Sequence, residues 1–264
     1  MTINAQAFKL LTPTQQAALV RSDGVRYVRV FGFNDDIDTT TDPEDLWNVG
    51  GTFTGHPAST QAAETVDLVS TSASDALFGT GANTVAVEGL DSDFNEVTEN
   101  EVMNGITTVT TTQEFLRVNK ATVVVAGTGQ TAAGRITLNH TTTTANVFGD
   151  IEAGTAVTMN AAYTVPAGYT ALIIGIHARV AHAAGSLTAA IFSVKAKDGS
   201  YASAAYEEVA KVAGATGTDG IVQLQGGIAI NEKHDILVTV DEVSADNTHV
   251  SADLEILLVK NAAI

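Results

Sequence analysis

The residues best placed for chemistry are the oxygen donors of Asp91-Ser92-Asp93-Phe94-Asn95, which fall at the first, third and fifth positions of a calcium-binding loop. Asp91, Asp93 and Asn95 are therefore the candidate metal ligands. The remainder of that loop pattern fails, because Glu96 stands where a glycine makes the turn and Val102 where a bidentate Glu closes the shell. The competing reading is a solvated acidic turn after a strand ending at Leu90. A second oxygen-rich run, Asn34, Asp35, Asp36 and Asp38, has no ligand spacing and reads as a linker. The six histidines, 56, 140, 177, 182, 234 and 249, include no H-E-x-x-H pair that would hold zinc on one helix face. His177 and His182 flank Arg179 at a strand end, where a hydrogen-bonded imidazole is the ordinary outcome. No G-x-S-x-G elbow occurs, and Ser70 to Asp75 reads as a polar turn. Gly79-Thr80-Gly81 and Gly127-Thr128-Gly129 match neither a Walker loop nor a dinucleotide loop, and no helix follows them. They read as β-turns. No catalytic residue and no cofactor is expected.

The elements that would position these residues are strands. Helix signal is confined to Thr12 to Arg21, where Thr12 can cap, Pro13 fits the first helical position and Gln15 to Leu19 have high propensity. Val25 to Phe31 alternates as an edge strand carrying arginines, and Asn34 to Pro43 is expected to break regular structure. From Trp47 onward, runs bounded by Gly, Asn, Asp or Ser follow one another without a helical period. Expected strands are 65–70, 83–90, 101–103, 106–111, 115–126, 134–139, 156–160, 171–180, 186–197, 221–229, 235–241 and 250–260. In the last, Val250, Ala252, Leu254, Ile256 and Leu258 share one face, with Ser251, Asp253 and Glu255 opposite. Asn104-Gly105 predicts a type I′ hairpin flanked by Met103 and Ile106. Val165 to Tyr169 predicts a turn feeding the next strand. The expected architecture is all-β: an antiparallel, jelly-roll-like β-sandwich over residues 47–264, preceded by an arm over residues 1–46, with a possible seam near 150–160.

Composition narrows the partners. The chain has 264 residues, 13 Lys and Arg against 30 Asp and Glu, and a net charge of −17, so its averaged field repels phosphate backbones and anionic lipid headgroups. Neither nucleic acid nor membrane is an expected partner. Only 16% of residues are charged while 45% are hydrophobic, mostly Ala and Val, which implies a deep core or a surface reserved for neighbours. The absence of Cys removes disulfides, thiolate metal sites and a thiol nucleophile together. The first residues show no basic and then apolar secretory pattern, so synthesis in a cytoplasm is the expectation.

The segment Gly79-Thr80-Gly81-Ala82-Asn83-Thr84-Val85, then Gly89-Leu90-Asp91 and the Asn104-Gly105 turn with its Thr-rich flank, resembles a recurring segment of virion proteins of tailed bacteriophages. Trp47 with Gly50-Gly51 and the Ser70 to Asp75 turn stand upstream in the same order. The resemblance spans about Trp47 to Leu138, and Val165-Pro166-Ala167-Gly168-Tyr169 is similar to a turn of head-decoration and head-fibre proteins. It implies a non-enzymatic capsid cement or decoration protein that binds the outer surface of the phage head and stabilises it. The implied partners are the major capsid protein or other virion proteins, with a homotrimer as the natural oligomer and the virion as its location. Alternatives are a tail or fibre-base component, or a carbohydrate-binding or depolymerising module using Trp47, Tyr163, Tyr169, Tyr201 and Tyr206.

Overall fold

The computed structural model describes residues 24–57, 62–182, 188–201, 203–217 and 220–261. The helix expected at Thr12 to Arg21 lies outside them. Among the described residues every regular element is a strand and every strand pairing is antiparallel.

Two layers of sheet are built from the two ends of the chain. The first holds β1 (Val25–Ile37), β16 (Thr248–Lys260), β11 (Tyr169–His182) and β14 (Gly220–Ile230), in that order. The second holds β10 (Ala162–Thr164), β15 (His234–Val243), β12 (Ala189–Asp198) and β13 (Glu207–Ala215), with the short β2 (Glu44–Asp45) also pairing with β15. Their inner faces share one apolar core. β16 contributes Val250, Ala252, Leu254, Ile256 and Leu258, all buried on the face that its alternation predicts. β15 and β12 answer with Ile236, Val238, Val240, Phe192 and Val194.

Between β2 and β10 the chain makes a second, smaller body. Here β6 (Val109–Thr110), β3 (Val66–Ser70), β8 (Ile136–His140) and β9 (Val147–Ile151) form one sheet, and β5 (Glu96–Val102), β4 (Ala82–Leu90) and β7 (Arg117–Ala126) form the other. Its separate core includes Leu68, Val85, Val87, Phe115, Ile136 and Phe148. The chain leaves β9 at Ile151 and enters β10 of the larger sandwich at Ala162.

Four expectations are corrected. Residues 25–46 are not an arm beside the body, since β1 pairs along its length with β16 and Val30, Ile37 and Leu46 are buried in the larger core. Asn34 to Ile37 continues β1 rather than breaking it, because Asn34 turns inward, where its amide donates to Glu44 at 3.5 Å, while Asp35 and Asp36 stay exposed. Asn104-Gly105 does not join a hairpin. Gly105 takes a φ of +62°, Thr107 N–H donates to the Asn104 carbonyl, and the chain passes from β5 in one sheet to β6 in the other. Contacts with residues 70–76 decide that path: Ser70 N–H donates to the Gly105 carbonyl and Gly105 N–H to the Asp75 carbonyl. Residues 156–160 make only isolated bridges, whereas β9 and β13 were not expected.

Candidate functional site

The oxygen donors at Asp91, Asp93 and Asn95 lie in a turn that is bonded within itself. Asp91 Oδ1 accepts the backbone N–H groups of Asp93 and Asn95 at 2.9 Å each, and the Asn95 amide donates to Asp91 Oδ2 at 3.2 Å. The carboxylate caps its own turn, as a short Asp side chain readily does. Among the described residues no group of three or more His, Asp and Glu side chains is arranged to hold a metal ion. Of Asn34, Asp35, Asp36 and Asp38, the first is buried against Glu44 and Asp38 accepts the Asn247 N–H at 2.7 Å.

The histidines are dispersed. His140 is buried, stacked edge-on against Phe148 and bonded to the Phe115 carbonyl, and burial lowers its pKa. His177 meets the Gln223 amide at 3.2 Å, and His234 meets the Glu232 carbonyl at 3.0 Å. The His182 side chain lies outside the described residues, and His249 is partly buried on β16. The candidate glycan-gripping aromatics do not share a platform: Trp47 and Tyr163 are buried, Arg26 covers the Tyr169 ring, Tyr206 is bonded to His56, and Tyr201 stands exposed elsewhere.

Where the two bodies meet, a buried polar cluster stands on the outer face of the second sheet. Thr164, Asp235 and Lys197 are cross-strand neighbours on β10, β15 and β12, so their side chains share that face. Arg117 reaches in from β7, its Nε donating to Asp235 Oδ1 at 2.9 Å and its Nη2 to Oδ2 at 3.1 Å, with both side chains essentially inaccessible. Thr164 donates to Oδ1 at 2.7 Å, and Lys197 Nζ lies 3.7 Å from Oδ2. Burial alone would raise the Asp235 carboxyl, but His56, Arg117 and Thr164 bring it down to about 2. His56 is itself held down to about 3 by burial, so at neutral pH it is uncharged and the fixed guanidinium carries the effect. This cluster fastens one body to the other. A slot of about 280 Å³ also lies between them, walled by Arg26, Arg29, Tyr163, Glu88, Glu96 and Lys120.

A buried carboxylate organises the end of the smaller body that carries the two Gly-Thr-Gly turns. Asp75, fully buried, accepts from the Ser70 hydroxyl and from the backbone N–H groups of Ala82, Ala133 and Gly134 at 2.6 to 2.8 Å. Asn83 donates to the carbonyls of Ala76, Gly79 and Gly81. Gly127 and Gly129 N–H groups donate to the Gly81 and Thr80 carbonyls, which brings the two Gly-Thr-Gly turns together. A side chain at Gly127 would lie 2.0 Å from the Gly79 carbonyl oxygen, so this approach requires glycine. On this scaffold Leu77, Phe78, Val102, Ile106, Val124 and Val125 are exposed, and Phe78 is 91% exposed with a φ of +66°. Ser70 to Asp75, a polar turn by its sequence, is instead a buried hub. Its signal was one Asp standing alone in the uncharged run 68–87.

No family model matches the chain, and no curated protein matches it. Among solved structures it is similar to the stem and receptor binding domain of the spike protein P1 from bacteriophage PM2, at 8% identity over 90% of this chain and 98% of that one. With a TM-score of 0.15, that likeness carries no argument about fold or function.

Proposed function

We propose that this chain is a non-enzymatic virion structural protein of a tailed bacteriophage, a cement or decoration protein seated on the outer surface of the head and stabilising it. The observation that carries the reading is the strand order of the larger sandwich. Its layers run β1-β16-β11-β14 and β10-β15-β12-β13, and from β10 to β16 the chain crosses between layers at every step except β12 to β13. We read this order as an eight-stranded jelly roll with two Greek keys, an architecture that viral capsid domains and lectins use. The fold alone admits many functions. What inclines it toward the virion is the resemblance of Trp47 to Leu138, a span that supplies most of the smaller body. An acidic chain is also suited to a shell's exterior, away from packaged nucleic acid.

Purified particles of the phage that encodes the chain provide the test. Mass spectrometry should find the chain in them, cryo-imaging should place it on the head exterior, and particles lacking it should release DNA at a lower temperature. Absence from purified particles refutes the reading, and density at the tail instead selects the tail or fibre-base alternative.

A further inference from the structure

We propose that the uncharged end of the smaller body is a homotypic interface, which docks against the same end of further copies of this chain. The inference stands apart from the virion assignment, because it needs only the charge map and the geometry of that end.

Segments 76–84, 102–108 and 124–134 converge there, and none contains Asp, Glu, Lys, Arg or His, in a chain carrying −17 overall. The nearby carboxylate of Asp75 is buried and fully engaged. Of the nine exposed large hydrophobic residues among the described residues, six stand on these segments: Leu77, Phe78, Val102, Val124, Val125 and Ile106. Thr84 is the register partner of both Val102 and Val125, so those two flank it on one face of the sheet. Clustering of this kind marks an interaction surface, whereas scattered exposed apolar residues need no explanation. Phe78 adds a second sign. A bulky side chain at positive φ is strained, and here that strain holds the ring out in solvent with no burial in return. The Asp75 and Asn83 bonds fix the backbone beforehand, which limits the ordering cost of docking.

Charge selects the occupant. A basic partner would be drawn to the acidic faces of the molecule, and a contact at the uncharged end would forgo that attraction. A second copy is the partner certain to share the negative charge, so it approaches with least repulsion where charge is missing. A contact about a two-fold axis places the same patch against itself, which demands apolar against apolar.

Sedimentation velocity across a range of protein concentrations, at low salt and at about 0.5 M salt, tests this with the full chain. Salt shortens the screening length to a few Å, so like-charge repulsion fades and association should tighten as salt rises. The variant F78N/I106T replaces two exposed side chains, and Asn tolerates the backbone at position 78. It should melt with the parent yet associate at least tenfold more weakly. A parent chain that stays monomeric, association that weakens with salt, or an F78N/I106T variant that assembles like the parent would each overturn the proposal.

Discussion

Replacing Asp235 with Ala should be the most destabilising single change at the junction of the two bodies. The substitution strips Arg117 of both its carboxylate bonds and leaves a 1% exposed guanidinium with one remaining bond, from Nη1 to the Leu116 carbonyl at 3.0 Å. Breaking one side of a buried ion pair costs about 3–5 kcal/mol, and for a chain of this length about 2–4 °C of melting temperature accompanies each kcal/mol, so a loss near 10 °C is expected. Removing the cation instead should cost less. In R117A the carboxylate keeps the Thr164 hydroxyl at 2.7 Å and Lys197 at 3.7 Å. Replacing both with apolar side chains, R117M/D235L, removes the stranded charge and should recover much of the loss. The pH dependence follows from the lowered carboxyl. Asp235 titrates near 2 when folded and near 3.9 when unfolded, so its contribution is present above about pH 4 and lost as pH falls toward 2. Calorimetric melting of the four proteins at neutral pH is the assay. The reasoning fails if D235A melts within about 2 °C of the parent, if R117A is worse than D235A, or if R117M/D235L is worse than either single variant.

Truncation separates the leading segment from the sandwich. A chain starting at residue 24 retains β1 whole. One starting at residue 47 loses Val30, Ile37 and Leu46 from the core, about 5–9 kcal/mol of apolar burial against a total stability of about 5–15, and should not fold its larger sandwich, as far-ultraviolet dichroism would show. D75A removes the acceptor of four hydrogen bonds and should raise amide exchange at Ala82, Ala133 and Gly134 by at least tenfold; unchanged protection there would contradict the hub. His56 titrates near 3 when folded and near 6.5 when unfolded, so protons bind the unfolded chain first and stability falls as pH drops through that interval. H56Q should flatten that part of the melting-against-pH curve, and a curve identical to the parent's would refute the assignment.

Strands whose two faces differ in polarity could be read directly. β16 begins two residues before the expected 250–260, and β11 extends from Tyr169 to His182 around the expected 171–180. β9 was hidden because Gly149, at a φ of +138°, and the buried Asp150 interrupt its pattern. The end of β1 was hidden for a related reason: Asn34, Asp35 and Asp36 look like a loop, and the inward Asn is satisfied by the Asp36 N–H and by Glu44, ten residues on. Arg117 offered a local signal, a charge between Leu116 and Val118, but its partner lies 118 residues away and no spacing rule reaches that far. The insertion of one body between β2 and β10 is likewise a property of long-range pairing.

The latch and the uncharged end belong to one mechanical arrangement. An apolar surface at the end of a loosely hung body would sample many orientations, and each docking event would have to overcome that freedom. Here both ends of the smaller body return to the larger sandwich, through Trp47 bridging Asn160 and through β10, and the Arg117–Asp235 pair closes the junction. The end is thus presented in a fixed orientation. A variant that loosens the junction while leaving each body folded should therefore weaken assembly without touching the apolar surface. R117A is suited to that test, since it keeps two partners on Asp235. Its self-association should drop below that of the parent under conditions where both remain folded, and association equal to the parent's would show that the end docks without needing a rigid mount.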